Sequence, residues 1–161
     1  MLKRTLFVSF ACFLMFGCAS SNNTGSVYSA EEINAHWFKK NLKREGVMVT
    51  DSGLQYKILE ESNGCKPDPD PDYEVTVHYT MLLAKTKRTI DSSYQRGNPS
   101  KVKLAKMIKG WREGVPMMNI GESRELYIPP HLGYGSKGSP EVAPNSVLIS
   151  QITLIDARCQ D

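Results

Sequence analysis

One stretch, from Leu104 to Gly135, limits the folds open to this chain more than any other. Trp111, Val115 and Met118 recur there at helical spacing and give a short helix one apolar face. A helix this short is stable only when that face packs against another element. We therefore expect the core of the protein to close around Trp111.

A strand follows this helix after a short turn. From Ser123 to Ile128 the side chains alternate, with Leu126 and Ile128 on one side and Glu125 and Tyr127 on the other. This pattern predicts a strand with one buried face. Helix and strand together predict a lone helix packed across a sheet.

Short runs with strand patterns lie on both sides of this unit. They comprise residues 47–50, 54–59, 75–83, 101–104 and 147–155, with a further extended segment at 89–93. The last run carries Ser150 on its apolar side, which leaves room where a large side chain would fit. We predict an α+β fold in which four to six antiparallel strands accompany one short internal helix.

The N-terminal residues resemble a bacterial lipoprotein signal. A basic pair precedes an apolar core at residues 6–16, which is too short to span a membrane as a mature helix, and Gly17-Cys18 follows. The resemblance implies cleavage after Gly17 and lipid on Cys18, and Ser20 is typical of an outer-membrane destination. The alternative is a plain secretory peptide cleaved near Ala19 or Ser20, with Cys18 discarded.

A short helix is predicted between this signal and the first strand. Ser29 and Glu32 form a capping box at its start. Its thin apolar stripe consists of Ile33, Trp37 and Leu42, flanked by basic residues. Such a helix suits a solvated arm or a packing helix, although dimerisation and contact with anionic headgroups also fit the pattern.

The charge balance does not favour a nucleic-acid partner. The chain carries a net charge of +3, and two of these charges belong to the basic pair near the N-terminus, so the remainder carries about +1. A nucleic-acid-binding domain normally shows a pronounced basic stripe. We therefore expect no nucleic-acid partner.

The cysteines leave one question open. Cys12 would leave with the signal and Cys18 would carry lipid, so Cys65 and Cys159 remain. In an oxidising compartment they can pair, but two separate thiols fit the sequence about equally well. The Cys and His residues show no ligand-like spacing, and we expect no metal and no cofactor.

Six short motifs resemble one known family, the FKBP-type peptidyl-prolyl cis-trans isomerases, over about residues 47–157. The motifs are Val77–Thr80, Ile90–Ser93, Met107–Trp111, Gly121-Glu122, Tyr134-Gly135 and Pro144–Leu148. The resemblance implies an antiparallel sheet wrapped around one short helix, with an apolar cavity between helix and sheet that takes a proline side chain. It implies catalysis of rotation about X–Pro bonds and no cofactor.

The resemblance also assigns roles to individual residues. Trp111 is the expected floor of the cavity, and Asp91 is expected beside the twisting amide. Tyr134 is expected to offer its hydroxyl to a substrate carbonyl, and the Ile108 N–H to bind a neighbouring one. The expected walls and lid of the cavity are Tyr79, Ile90, Met107, Ile108 and Val142.

Three departures from the family pattern weaken the expected activity. Ile90, Ser100 and Ser150 stand where the family usually has aromatic side chains, and the two serines lack the apolar bulk. We expect a wider, wetter and weaker cavity, by analogy with large-to-small changes in cores. The alternative function is therefore a catalytically weak binding module or chaperone of the same fold.

These interpretations divide the chain into three parts. Residues 1–17 are the expected signal peptide, residues 18–46 a lipidated tether with a short helix, and residues 47–161 the isomerase domain. The expected partners are proline-containing segments of unfolded or envelope proteins, and the membrane through the lipid. The oligomeric state is left open.

Overall fold

A computed structural model describes residues 28–68, 70 and 72–160 of the chain. The expected signal peptide and the expected lipidation site, Cys18, lie outside these residues. No helix among the described residues is long and apolar enough to cross a membrane.

Two α-helices, three short 3₁₀-helices and seven strands make up the described structure. The helices are α1 (Ala30–Asn41) and α2 (Lys109–Gly114). The strands are β1 (Val47–Val49), β2 (Gln55–Glu60), β3 (Glu74–Leu83), β4 (Thr89–Ser92), β5 (Ser100–Lys103), β6 (Ser123–Ile128) and β7 (Leu148–Ala157). The α+β prediction is confirmed, although the strand count of four to six was too low because the short strands β1 and β5 both pair.

All strands belong to one antiparallel sheet with the order β1-β2-β6-β7-β3-β4. β3 is long enough to hold two partners on one edge. Its first half pairs with β5, and its second half pairs with β4. The loop between β4 and β5 therefore lies beside the middle of β3, and this placement builds one side of the site described below.

Helix α2 packs across one face of this sheet, as the sequence predicted. Trp111, Val115 and Met118 are completely buried, and α2 lies against β6. The helix is shorter than expected, because it ends at Gly114 and a 3₁₀ turn at Val115–Met117 continues it. Glycine permits this close approach: a Cβ on Gly110 would lie 2.7 Å from Cγ2 of Ile128. The core therefore closes around Trp111.

The prediction of a half-buried β6 was wrong. Tyr127, on the side expected to face solvent, has no exposed surface. Helix α1 covers it, and the Trp37 ring centroid lies 6.0 Å from that of Tyr127. A second apolar cluster thus forms on the outer face of the sheet, with Phe38 and Ile149 among its members. The alternation of side chains in β6 predicts a strand but not what covers its outer face. The helix that covers it comes from a distant part of the chain.

The start of α1 was predicted correctly, but its packing face only in part, because Trp37 alone of the expected stripe packs against the sheet. Ser29 and Glu32 form the expected capping box. Ile33 and Leu42, from the expected apolar stripe, are instead exposed. The buried side also includes Asn41, whose amide donates to the side chain of Gln55 on β2 at 2.9 Å. A polar residue holds this helix to the sheet, and apolar periodicity cannot reveal such a contact.

Cys65 and Cys159 form a disulfide with a Cα–Cα distance of 5.7 Å. The bond joins the loop after β2 to the segment that follows β7. Backbone pairing supports it on both sides, because Pro67 bridges Cys159 and the Gln160 N–H donates to the Lys66 carbonyl at 3.0 Å. The two separate thiols that the sequence also allowed are not present.

Candidate active site

The predicted floor of the candidate site and one of its predicted walls form an aromatic pair. Trp111 comes from the first turn of α2, and Tyr79 comes from the middle of β3. The Tyr79 ring meets the Trp111 ring edge to face, with 4.8 Å between centroids and 89° between planes. Edge-to-face packing of this kind stabilises aromatic pairs beyond the area that they bury. The structure therefore fixes the orientation of the floor.

Ser150 completes the floor from below. The Trp111 indole N–H donates to Ser150 Oγ at 3.1 Å, and both residues are fully buried. A buried indole N–H needs an acceptor, because leaving it without one costs about 1–3 kcal/mol. The serine thus fills a hydrogen-bonding role where the family usually has aromatic bulk. The expected widening of the cavity stays a prediction.

The walls and the lid come from separate loops and strands. Ile90, Met107 and Ile108 are partly buried and pack against the core cluster that contains Trp111. Val142 belongs to the same cluster and is almost fully buried. A bridge between Ser139 and Val142 holds its loop in place. Together with Tyr79, a member of the same cluster, all five predicted wall and lid residues belong to it or pack against it.

A polar network stands at one side of this apolar cluster. Tyr79 donates its hydroxyl hydrogen bond to Asp91, and the Arg96 guanidinium forms an ion pair with the same carboxylate. Arg96 also donates to Tyr79 Oη at 2.9 Å and to Ser100 Oγ at 3.0 Å. The Arg96 guanidinium therefore links Asp91, Tyr79 and Ser100, the last of which stands where the family usually has an aromatic side chain.

This network shifts two pKa values. Burial raises the pKa of the Tyr79 hydroxyl, and its hydrogen bond to Asp91 adds to the effect. Burial alone would raise the pKa of the Asp91 carboxyl, but the hydrogen bonds from Tyr79 and Arg96 and the charge of Arg96 outweigh it, so that pKa lies below its ordinary value. Asp91 is consequently a carboxylate and Tyr79 a phenol at neutral pH.

Arg96 is the residue of this site that sequence reasoning missed. It lies in the polar loop between β4 and β5, where neither periodicity nor spacing marks one residue above another. Its role depends on β3 holding both of those strands, which brings the loop back beside Tyr79. The only local signal is its position five residues after Asp91.

The two donors predicted to bind substrate carbonyls have no hydrogen-bond partner among the described residues, although no contact between Tyr134 and the Trp111 cluster is seen. The Tyr134 side chain is 36% exposed, and its hydroxyl has no hydrogen-bond partner among the described residues. The Ile108 N–H likewise donates to no described residue, whereas the Ile108 carbonyl accepts from the first turn of α2. Tyr134 is held by its loop, in which the Gly135 N–H donates to the Pro130 carbonyl at 2.8 Å.

Two further clefts lie away from this cluster. One of about 600 Å³ separates α1 from the loop that carries Tyr134, and Phe38 and Pro130 line it. The other, of about 260 Å³, lies on the outer face of the sheet beside Tyr94. Neither is lined by the predicted site residues, so the assignment of the site depends on the chemistry of the cluster around Trp111.

Family profiles match most of the chain. The profile described as FKBP-type peptidyl-prolyl cis-trans isomerase matches residues 65–155. A second, described as the domain amino terminal to FKBP-type peptidyl-prolyl isomerase, matches residues 22–58.

Individual proteins give the same result. Peptidyl-prolyl cis-trans isomerase Mip of Coxiella burnetii is 40% identical over 119 residues, which cover 73% of this chain and 50% of that protein. FkpA of Aeromonas hydrophila is 38% identical over 115 residues, covering 71% of this chain and 42% of that protein. This chain therefore spans about half the length of the curated relatives it matches.

Solved structures share the fold. The crystal structure of FkpA from Escherichia coli superposes with a TM-score of 0.74 and 34% identity, and the match covers 81% of this chain and 60% of that one. A peptidyl-prolyl cis-trans isomerase from Pseudomonas syringae gives a TM-score of 0.72 at 26% identity, covering 79% of this chain and 92% of that one.

Proposed function

This chain belongs to the FKBP-type peptidyl-prolyl cis-trans isomerase family, and from that membership we propose that it catalyses rotation about X–Pro bonds in polypeptides. The expected substrates are proline-containing segments of unfolded or envelope proteins. Because the chain spans about half of its curated relatives, the activity assigned to it concerns the site described above.

One observation carries this proposal. The apolar cluster that contains Trp111 packs against Ile108, whose N–H has no partner among the described residues. Tyr134, the second expected donor, keeps its role as an expectation. A proline ring buries apolar surface, and the carbonyls on either side of it need donors. The apolar cluster and the Ile108 N–H beside it offer one contact of each kind.

The chemistry requires no bond to form or break. Amide resonance gives the X–Pro bond a rotation barrier of about 18–20 kcal/mol, and an enzyme lowers it by binding the twisted amide better than either planar form. Twisting weakens the C–N double-bond character, which an apolar surrounding favours because it offers little hydrogen bonding to the planar amide oxygen. The Ile108 N–H and Tyr134 hydroxyl hold the flanking carbonyls while the central bond turns.

Asp91 contributes a fixed charge beside the apolar cluster, through its contact with Tyr79. Arg96 and Tyr79 hold its carboxylate in one orientation. The charge is preorganised, so it needs no rearrangement as the amide twists. Asp91 thereby sets the electrostatic field beside the bond without exchanging a proton.

A second function has one specific observation in its favour. The hydroxyl of Ser100 accepts a hydrogen bond from Arg96, and that of Ser150 accepts one from Trp111. Neither serine supplies apolar bulk. A binding module or chaperone that holds proline segments with little catalysis is consistent with that loss.

A protease-coupled prolyl peptide assay separates the two functions. The wild-type chain should accelerate isomerisation, and the double variant Asp91→Ala/Tyr134→Phe should lose most of that rate. If both proteins matched the buffer rate, the isomerase function would be rejected and the binding module would remain.

The proposed location is the cell envelope, with lipid on Cys18 holding the chain to the outer membrane facing the periplasm. The lipoprotein-like signal supports this proposal, and so does the Cys65–Cys159 disulfide, because disulfides persist in oxidising compartments such as the periplasm. Cys18→Ser should abolish labelling by a radioactive fatty acid. Unchanged labelling of that variant would exclude this anchor.

A further inference from the structure

A band of positive charge runs through the segment that builds the wall and floor of the site. Residues 96–112 contain six cations and neither Asp nor Glu; they are Arg96, Lys101, Lys103, Lys106, Lys109 and Arg112, and all are exposed. The other described residues contain twelve Lys and Arg against sixteen Asp and Glu. The small net charge of the whole chain therefore conceals a strong concentration of positive charge in residues 96–112.

Two of these cations lie next to the substrate-facing backbone. Lys106 ends the turn before Met107, and Lys109 begins α2 directly after Ile108. The free Ile108 N–H thus has an exposed lysine on each side within two residues. Neither lysine forms an ion pair with a described residue.

The two carboxylates that flank this segment in sequence, Asp91 and Glu113, are engaged elsewhere. Asp91 is paired with Arg96. Glu113 accepts hydrogen bonds from Thr50 and Ser52, which ties it to the turn between β1 and β2. The loop that carries Tyr134 adds one charge of each sign. The charge of Lys106 and Lys109 is therefore not compensated within the described structure.

We propose that Lys106 and Lys109 make this site selective for proline segments that carry an acidic residue beside the proline. The inference rests on the proposed isomerase function, and it names the substrate class of that site. A peptide whose carbonyl binds the Ile108 N–H places its flanking side chains near both lysines. For exposed charges about 6 Å apart, Coulomb attraction in water corresponds to roughly a threefold preference per lysine, and added salt reduces it.

The position of the two lysines favours a protein ligand over a polyanionic surface. They flank an apolar wall and a free backbone donor, which are features that a peptide uses. Nucleic acid is bound mainly through many phosphate contacts spread along a basic face, and the rest of the described chain carries more acids than bases. The ligand that fits is an acidic, proline-containing peptide.

The test compares two isosteric peptides with the full-length chain. One peptide carries Glu and the other Gln immediately before proline, and kcat/KM is measured for each at low salt and at 0.15 M salt. We expect the wild-type chain to favour the Glu peptide about five- to tenfold at low salt and less at high salt. The variant Lys106→Gln/Lys109→Gln should bring the Glu-to-Gln ratio close to one.

A matched control removes the same charge elsewhere. Lys39 and Lys40 are exposed on α1 and line neither the site nor the clefts, so Lys39→Gln/Lys40→Gln should keep the wild-type ratio. A ratio near one in the wild-type chain, or an equal fall in both double variants, would overturn the inference while leaving the isomerase function intact. No acceleration of either peptide would refute the isomerase function itself.

A vesicle-binding experiment tests the competing ligand, an anionic membrane surface. Vesicles of phosphatidylglycerol and phosphatidylcholine are mixed with the wild-type chain and with Lys106→Gln/Lys109→Gln. If vesicle binding fell while the peptide ratio did not change, the two lysines would belong to a membrane surface and the inference would be overturned. Unchanged vesicle binding with a lost peptide preference supports it.

Discussion

At the scale of single residues, the site is defined by what each polar group bonds to. Trp111 could be placed from the sequence because its spacing marks a buried helix face. The unusual position of Ser150 was also visible in the sequence, because its hydroxyl lies on the apolar side of a predicted strand. That this hydroxyl accepts from the Trp111 indole could not be predicted, because 39 residues separate the two side chains.

Ser150 provides a direct test of that hydrogen bond. Ser150→Ala should lower the free energy of unfolding by about 1–3 kcal/mol, because the buried indole N–H loses its acceptor. Denaturant unfolding followed by Trp fluorescence measures the change. Ser136→Ala, at an exposed position, should leave stability unchanged within about 0.5 kcal/mol. Equal stability of Ser150→Ala and wild type would show that the indole finds another acceptor.

The Asp91 network predicts a pH dependence with a defined sign. The pKa of Asp91 is below its ordinary value of 3.8 in the folded state, so its carboxylate stabilises the fold above about pH 4. That contribution is lost as the pH falls through the folded-state pKa. The stability difference between wild type and Asp91→Asn should therefore be larger at pH 7 than at pH 3. Urea unfolding across this pH range measures it, and a difference independent of pH would contradict the network.

At the scale of elements, the sequence predicted best those features that depend on the residues of one helix or strand alone. The strand pattern of β3 is local and was confirmed. The burial of Trp111, Val115 and Met118 was also confirmed, although only Trp111 lies on α2. The outer face of β6 was wrongly predicted to be exposed. The helix that covers Tyr127 lies some ninety residues earlier, so the sequence of the strand does not reveal it. Arg96 was missed for the same reason, since its partners on β3 and β4 are brought to it by strand pairing.

The approach of α2 to β6 gives a prediction at this scale. A Cβ at position 110 would lie 2.7 Å from Ile128 Cγ2 and 3.1 Å from Cγ1, both in the core. Gly110→Ala should therefore cost about 1–3 kcal/mol through overpacking, although alanine favours a helix by about 1 kcal/mol. The isomerase rate should fall as well, because α2 carries the floor of the site.

Arg112 provides the control for this variant. Arg112→Ala changes an exposed residue of the same helix, and we expect its unfolding free energy to stay within about 0.5 kcal/mol of wild type. Thermal unfolding of the three proteins gives the comparison. A Gly110→Ala variant as stable as wild type would mean that α2 and β6 have room to move apart.

At the scale of the whole molecule, the disulfide and the active site are separate features. Cys65 and Cys159 close a loop with a sequence separation of 94 and hold the loop after β2 to the C-terminal segment. The apolar residues of the candidate site belong to the cluster around Trp111, and neither cysteine is a member of it. The fold should therefore use the disulfide for stability and not for catalysis.

Replacing both cysteines tests this separation. Cys65→Ser/Cys159→Ser should lose about 2–5 kcal/mol of stability, which is typical for a disulfide that closes a long loop. Its isomerase rate at 25 °C should remain close to that of wild type while the protein stays folded. A large loss of rate in a variant that circular dichroism shows to be folded would tie the disulfide to the site.

The central claim is that the cluster around Trp111 binds and turns X–Pro bonds. Two-dimensional exchange NMR of a short prolyl peptide tests it most directly, because it follows both isomers at equilibrium without a coupling protease. Catalytic amounts of the wild-type chain should produce cis–trans exchange peaks that the peptide alone lacks, and Tyr134→Phe should weaken them. The same spectrum with and without the wild-type chain would contradict the claim.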